Sequence, residues 1–514
     1  WSSDVCSSDL NMGGKDITCD VYDWTSGGLN VANGTFTAAD LADSGIFGSY
    51  LLDVGGTIDL TNADGWVDMN ADIYMDGGFF YVRGGNGSSW WSYGADASLH
   101  MSGGILDFTD QSIYLYDSPS YTFFDNITGG TIRTVGSFTG DNPNFNPAGG
   151  DIELYGTSDC DLAHAPGSSF YAVTINKSAE EGSGKIKQTR LHPGEKPLME
   201  KEGGKANQVA VQSTLDIDTD LRIEAGTFDV NGFTVDVADD LYIAGHLIMD
   251  DAADVIYAGD QVDWAAGSTA TCTAGKIYFG GMWSFLDGSE ALISPGHLSI
   301  ANGSANQSLK NRDDNSCFGD LDINHPGFTT NIDIQTNHPV LISGDLILYN
   351  NSELLIDHSQ VIPDGLFYID DLATLTVTAG GGSIVNGDLT CNGTIYMNGG
   401  SLFTSAGFLM TTTGSLIIDD GQFILHAPYT GTYESIGGYV ELNGGVFQVT
   451  YNGIQFGSAS QFIFNGGDMR IGWSFRAVHP GTIQPGSGAV EFFGTGSPSI
   501  DMESSNYFHD LIIN

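Results

Sequence analysis

The chain has 514 residues, with 16 Lys plus Arg against 64 Asp plus Glu and a formal charge of −48 at pH 7. That charge excludes nucleic acid, whose phosphates need a basic footprint, and argues against docking on anionic lipid. It favours solubility, divalent cations and an extracellular or salty setting. With 41% hydrophobic and 11% aromatic residues, disorder is set aside, and no run approaches 18 apolar residues, so no membrane span is visible.

Residues 1–10, WSSDVCSSDL, do not fit the pattern that follows. They resemble a translated sequencing-adapter read-through and are expected to lie outside the fold. On that reading both ends are truncated, and the missing signal peptide says nothing about localisation. Cys19, Cys160, Cys272, Cys317 and Cys391 are widely scattered. Without C-x-x-C or zinc spacing they read as small buried hydrophobes.

From residue 11 a short rhythm runs along the chain: apolar, any, Gly-Gly, any, apolar, as in YMDGGFFYV, HMSGGILDF and NITGGTIRT. The pairs begin at Gly55, Gly77, Gly103, Gly129 and Gly149, and later at Gly399, Gly444 and Gly466, with Asp420-Gly421 as a variant. Within each series they recur at a near-regular interval whose length is that of one solenoid coil. Gly-Gly supplies positive φ and lacks Cβ, so the backbone can corner tightly. GNGSSWWSYG reads as a loop in which Trp90, Trp91 and Tyr93 are candidates for stacking on a sugar ring.

Residues 151–176 and 489–514 share Glu153/Glu491, Gly156/Gly494, Thr157/Thr495, Phe170/Phe508, Ile175/Ile513 and Asn176/Asn514. A third copy ends at Asn324, with KIYFGG (276–281) upstream matching VEFFGT (490–495) in character. The phrase is about one coil long, so its recurrence marks a super-repeat of several coils. Residues 177–208 break the rhythm: they hold 7 of the 16 basic residues and no Asp, and 7 basic minus 5 acidic gives +2. They read as a basic loop extruded between coils.

In TLDIDTDLRIEAG (214–226), Leu215, Ile217, Leu221 and Ile223 alternate with Asp216, Asp218, Asp220 and Arg222, the pattern of a half-buried strand. Asp216, Asp218 and Asp220 then form a row of like charge that weak calcium binding would relieve. No amphipathic helix is visible. Three short strands per coil, each coil stacked about 4.8 Å from the last, make an all-β, right-handed parallel β-helix (β-solenoid) of roughly 20 coils. The expected segments are 11–176, 209–324 and 325–514, separated by the 177–208 loop and the 324 repeat end.

The pattern G-x-V-x-F-x-G-T … F-x-x-L-x-I-N, followed by strands like TLDIDTDLRIEAGTFDVNGFTVDV, resembles large secreted proteins of environmental, Bacteroidetes-like bacteria. In these, tandem right-handed β-helix repeats form surface-exposed stalks and adhesin-like bodies. The resemblance implies export and extracellular or cell-surface residence, and it transfers no catalytic residue. Parallel β-helices also carry polysaccharide lyases and hydrolases. Vicinal pairs such as Asp239-Asp240, Asp250-Asp251, Asp313-Asp314, Asp370-Asp371 and Asp419-Asp420 could supply the two carboxylates of a glycosidase. The Gly-His-Gly and Arg-Ile-Lys motifs of polygalacturonases are missing, and Arg222 and Arg470 are candidate lyase bases without diagnostic surroundings. The expected role is a rigid stalk, display or attachment rod without a catalytic site and with no required cofactor. Glycans and other surface proteins are its expected partners. A carbohydrate-binding or polysaccharide-degrading β-helix is the alternative, and a self-associating filament subunit a further one, because a solenoid end exposes unpaired strand edges.

Overall fold

The computed structural model describes residues 10–19, 28–38, 45–52, 55–60, 67–83, 88–91, 96–109, 111–116, 120–177, 207–332, 338–349, 351–426, 433–479, 482–494 and 498–514. Among these there is no helix, and parallel strands stack as a β-solenoid of about 18 turns. Most of the insert, residues 178–206, and residues 1–9 lie outside the described residues. Leu10 lies inside them and pairs with Leu29. The chain divides into two compact units, residues 1–257 and 258–514.

One coil of the first unit shows how the sequence builds the fold. Leu221–Ala225, Thr227–Asp229 and Thr234–Val237 form its three sides, and Leu241–Ile243 begins the next coil, Leu241 directly against Leu221. Inward positions alternate with outward ones, so each strand sends every second side chain into the core. Ile58, Phe80, Leu106, Ile132, Ile152, Val173, Leu221 and Leu241 stack coil upon coil in one apolar file. None is more than 5% exposed. Each such side chain contributes roughly 1.5–3 kcal/mol by leaving water.

The second unit repeats the scheme. Leu375, Ile395, Leu416, Val440, Phe462 and Ile483 form one file. Leu321, Leu346, Phe367, Leu389 and Phe408 form another on a separate sheet.

The Gly-Gly corners are where successive backbones come closest. Gly78, Gly104, Gly130, Gly150, Gly400, Gly421, Gly445 and Gly467, the closing glycine of every motif after the first, all have φ between +65° and +89°, and in the first motif the positive φ falls on Gly55. A Cβ on Gly103, Gly129, Gly149, Gly444 or Gly466 would lie 2.3–2.9 Å from a carbonyl oxygen of the preceding coil. Glycine is therefore required twice over, by conformation and by space.

The stretch 214–226, expected as one strand, is two: Leu215–Ile217 and Leu221–Ala225, with bends at 218–219. The third repeat copy also differs from expectation. Val173–Asn176 pairs on Gly149–Tyr155, and Asp510–Ile513 on Ala489–Phe492. Asp320–Ile323, however, pairs on Leu298–Ala301, and Lys276–Phe279 lies one coil further back. KIYFGG is thus not the counterpart of VEFFGT, because apolar alternation recurs in every coil and likeness in character cannot fix which coil is meant.

The ends of the basic insert return to one place. Val173 pairs with Leu221 across the insert, and Leu221 pairs with Leu241 in the coil that follows. With 178–206 set aside, the first of these steps is nearly as long as the second, so the insert interrupts a coil of ordinary length. A Cβ on Gly226 would sit 2.5 Å from the Lys177 carbonyl oxygen and 2.8 Å from that of Asn207, so both flanks abut the same corner.

Gly130→Ala would meet the Gly103 carbonyl carbon at 2.9 Å with φ at +88°. Gly167→Ala has the same φ and nothing within 4 Å. The left-handed backbone alone costs about 1–2 kcal/mol. Urea unfolding is expected to show that loss for Gly167→Ala and a clearly larger one for Gly130→Ala.

Candidate binding face

The outward positions beside the first unit's apolar file carry its described arginines. In successive coils the column reads Asp59, Tyr81, Asp107, Arg133, Glu153, Thr174, Arg222 and Tyr242. Parallel pairing places each about 4.8 Å from the next. Arg83, on the same side of the chain as Tyr81, joins this face.

Each arginine is held in the same way. Arg83 Nε lies 2.9 Å from Asp59, and its guanidinium carbon sits 4.2 Å from the Tyr81 ring centre. Arg133 donates Nε–H and Nη2–H to Asp107 Oδ2 at 2.9 and 2.8 Å and lies 4.9 Å from the Tyr155 ring. Arg222 Nη2 is 2.7 Å from Glu224, with its guanidinium 4.5 Å from Tyr242. A planar guanidinium suits both partners, forking onto a carboxylate while lying over a ring face. Asp107 is only 2% exposed, and it also accepts the Tyr155 hydroxyl at 2.6 Å. Burial, followed by Asp107 itself, pushes that phenol well above its usual range.

Glu153 is held differently. Its Oε1 accepts Asn176 Nδ2 at 3.0 Å, and its Oε2 lies 3.8 Å from Arg133 Nη1, beyond hydrogen-bond reach. The second unit repeats the three residue types in a tighter contact: Arg470 pairs in register with Glu491, its Nε lying 3.4 Å away, and Asn514 donates to Glu491. Glu153/Glu491 and Asn176/Asn514 are the matched positions of the duplicated phrase, so the repeat preserves a surface contact as well as a core.

On the same strand as Glu153, Asp151 points outward beside a shallow hollow lined by Ile127, Ile132, Pro147 and Tyr171. Burial raises its carboxyl to about 6, against the lowering effect of the Thr174 hydroxyl bond. Asp322 in the second unit is likewise raised to about 6, chiefly by burial.

The residues expected to carry chemistry are placed as follows. Asp216 is exposed on Leu215–Ile217, Asp218 lies at the bend and accepts Ser169 at 3.2 Å, and Asp220 precedes the next strand and accepts the Asp240 N–H. The corner splits the row, and these three do not bring ligand oxygens within 4.8 Å of one another. The stretch expected as an aromatic loop contains a strand, Ser88–Trp91. Trp91 is 2% exposed and packs edge-on against Phe123, so it faces the core and offers no ring to a sugar. The Trp90 side chain and Tyr93 lie outside the described residues.

Of the vicinal aspartates, Asp251 and Asp313 serve turns, Asp419 bonds side chains of neighbouring coils, and Asp239 and Asp240 bring carboxylate oxygens within 4.8 Å of that of Asp260. Asp251 accepts Ala253 N–H, Asp313 accepts Gly288 and Asn315 N–H, and Asp419 accepts the Tyr396 hydroxyl and Asn443. Arg470 also contacts Asp468 at 3.4 Å. Burial pushes the Cys160 and Cys391 thiols up to about 11 and about 12, which makes them inert packing groups.

No helix among the described residues is long and apolar enough to cross a membrane. Comparison with known proteins finds no matching family model, no matching curated protein and no matching solved structure. The chemistry of this face therefore rests on its own geometry.

Asp151 and Asp322 bind protons more tightly folded than unfolded, since their folded values of about 6 lie above the ordinary 3.8. Their contribution to stability is complete below the unfolded value and is lost as pH rises through the folded one, a window of roughly pH 4 to 6. Buried His297, held down to about 4, opposes this by destabilising the fold as pH falls below 6.5, so the carboxyl contribution is read as the difference between wild type and Asp151→Asn in thermal unfolding at pH 7.5 and pH 5. Asp151→Asn is expected to gain on the order of 1 kcal/mol at pH 7.5, after solvent screening, and to flatten the slope.

Proposed function

We propose that this chain is a structural and adhesive β-solenoid, exported and surface-exposed, that works as a rigid attachment or display body. The observation that carries this reading is the threefold arginine–tyrosine–carboxylate arrangement on one outward face. Its arginines are each paired with a carboxylate of the face and its side chains are held coil by coil. Such a surface is pre-organised for contact and gives up little side-chain freedom on binding. The excess acid elsewhere keeps the body soluble and disfavours non-specific adhesion to anionic surfaces.

One observation favours a polysaccharide-degrading alternative. Asp151, raised to about 6, and Glu153 lie on the same outward strand face as next neighbours. A carboxyl that holds its proton toward neutral pH can act as general acid on a glycosidic bond beside a second carboxyl group.

The deciding experiment pairs two readouts over a panel of neutral and acidic polysaccharides: retention of protein-coated beads on polymer films, and appearance of new reducing ends in solution. The attachment reading predicts retained beads with no increase in reducing ends. Reducing ends that disappear in Glu153→Gln would transfer the assignment to the enzyme. Beads held by no surface would remove the adhesive role.

A further inference from the structure

Glu153 Oε2 and Arg133 Nη1 face each other at 3.8 Å, too far to hydrogen-bond directly and close enough for one hydroxyl oxygen to serve both. A hydroxyl there accepts from the guanidinium and donates to the carboxylate. Both flanks are fixed in advance: Asp107 holds Arg133 through Nε and Nη2, and Asn176 holds the other oxygen of Glu153. The same three residue types meet again in the second unit in a closed contact, where the buried Arg470 Nε lies 3.4 Å from Glu491 and Asn514 donates to Glu491. The recurrence is an independent observation that the arrangement is a unit of the repeat rather than an accident of one coil.

We propose that this arginine–glutamate–asparagine unit is a hydroxyl-recognition site, and that its ligand is an uncharged polysaccharide in an extended, equatorially linked conformation. The inference rests on the attachment reading above and names its partner. Charge selects the uncharged polymer. Arg83, Arg133 and Arg222 roughly balance Asp59, Asp107, Glu153 and Glu224 on this face, whereas the whole chain carries −48 and repels a polyanion. Spacing selects the extended chain. Successive coils rise about 4.8 Å, close to the length of one pyranose in such a polymer, so a chain lying along the column presents one sugar per coil.

The test is affinity electrophoresis of the full chain in native gels containing soluble mixed-linkage β-glucan, with polygalacturonate gels in parallel. The wild type is expected to be retarded by the glucan and unaffected by polygalacturonate. Glu153→Gln keeps the shape and, with its amide oxygen still accepting from Asn176, replaces the acceptor that faces Arg133 by an N–H donor. It is expected to raise the dissociation constant about tenfold, as the loss of one charged hydrogen bond does. Glu153→Ala, which removes both acceptor oxygens, is expected to migrate as in an empty gel. Far-ultraviolet circular dichroism and the unfolding midpoint verify that each variant is folded.

Absence of retardation, retardation unchanged in folded Glu153→Ala, or retardation by polygalacturonate alone would each overturn the proposal. Retention on another surface in the bead assay would leave the attachment reading standing in those cases. New reducing ends would overturn the attachment reading even if glucan binding held.

Discussion

Backbone contact between successive coils at the corners is the constraint on which the rest of this structure depends. Parallel pairing needs each strand to return to within hydrogen-bonding distance of the strand one coil earlier. At the corners that return leaves no room for Cβ, as the carbonyl at 2.3 Å from a hypothetical Gly444 side chain shows. Glycine meets both demands because it lacks Cβ and adopts positive φ without strain. Once the corners close, the strands between them are held in register, and register decides every other property of the surface and the core.

In register, like positions meet like positions from coil to coil. Inward, that gives continuous apolar files. Outward, it turns separate residues into columns whose chemistry appears only when coils are stacked. Arg133, Glu153 and Asn176 stand on three successive strands of one sheet yet belong to one contact network. The column also explains how so acidic a chain places its arginines: Arg83 and Arg133 stand against carboxylates of the preceding coil, and Arg222 beside Glu224 of its own strand. Lys177, fully buried and bonded to the Val135 carbonyl at 2.6 Å, anchors the described end from which the basic insert departs.

The fold was legible in the sequence because two simple signals agree, glycine pairs at a solenoid period and apolar alternation at period two. The corner at 218–220 was not. Ile217 and Leu221 are both inward and an even number of positions apart, so the bend preserves the alternation and leaves no break in the pattern. Trp91 had a usable signal: adjacent residues on a strand point to opposite faces, so one of two neighbouring tryptophans on Ser88–Trp91 must turn inward. The binding face was hidden for a different reason. Coil length varies, the step from Phe80 to its partner Leu106 being longer than that from Ile132 to Ile152, so no fixed spacing reveals which outward residues share a column.

Register across the basic insert is the central claim in its most exposed form, because it places Thr174 directly against Arg222 with the whole insert between them in sequence. Directly paired parallel neighbours are about 4.8 Å apart, within disulfide range, while positions two coils apart are about 9.6 Å apart and beyond it. The measurement is disulfide formation in Thr174→Cys/Arg222→Cys compared with Thr174→Cys/Tyr242→Cys, read by mass spectrometry after mild oxidation. The stacked-coil account predicts a near-complete bond in the first pair and none in the second. Equal yields, or a bond only in the second, would contradict it.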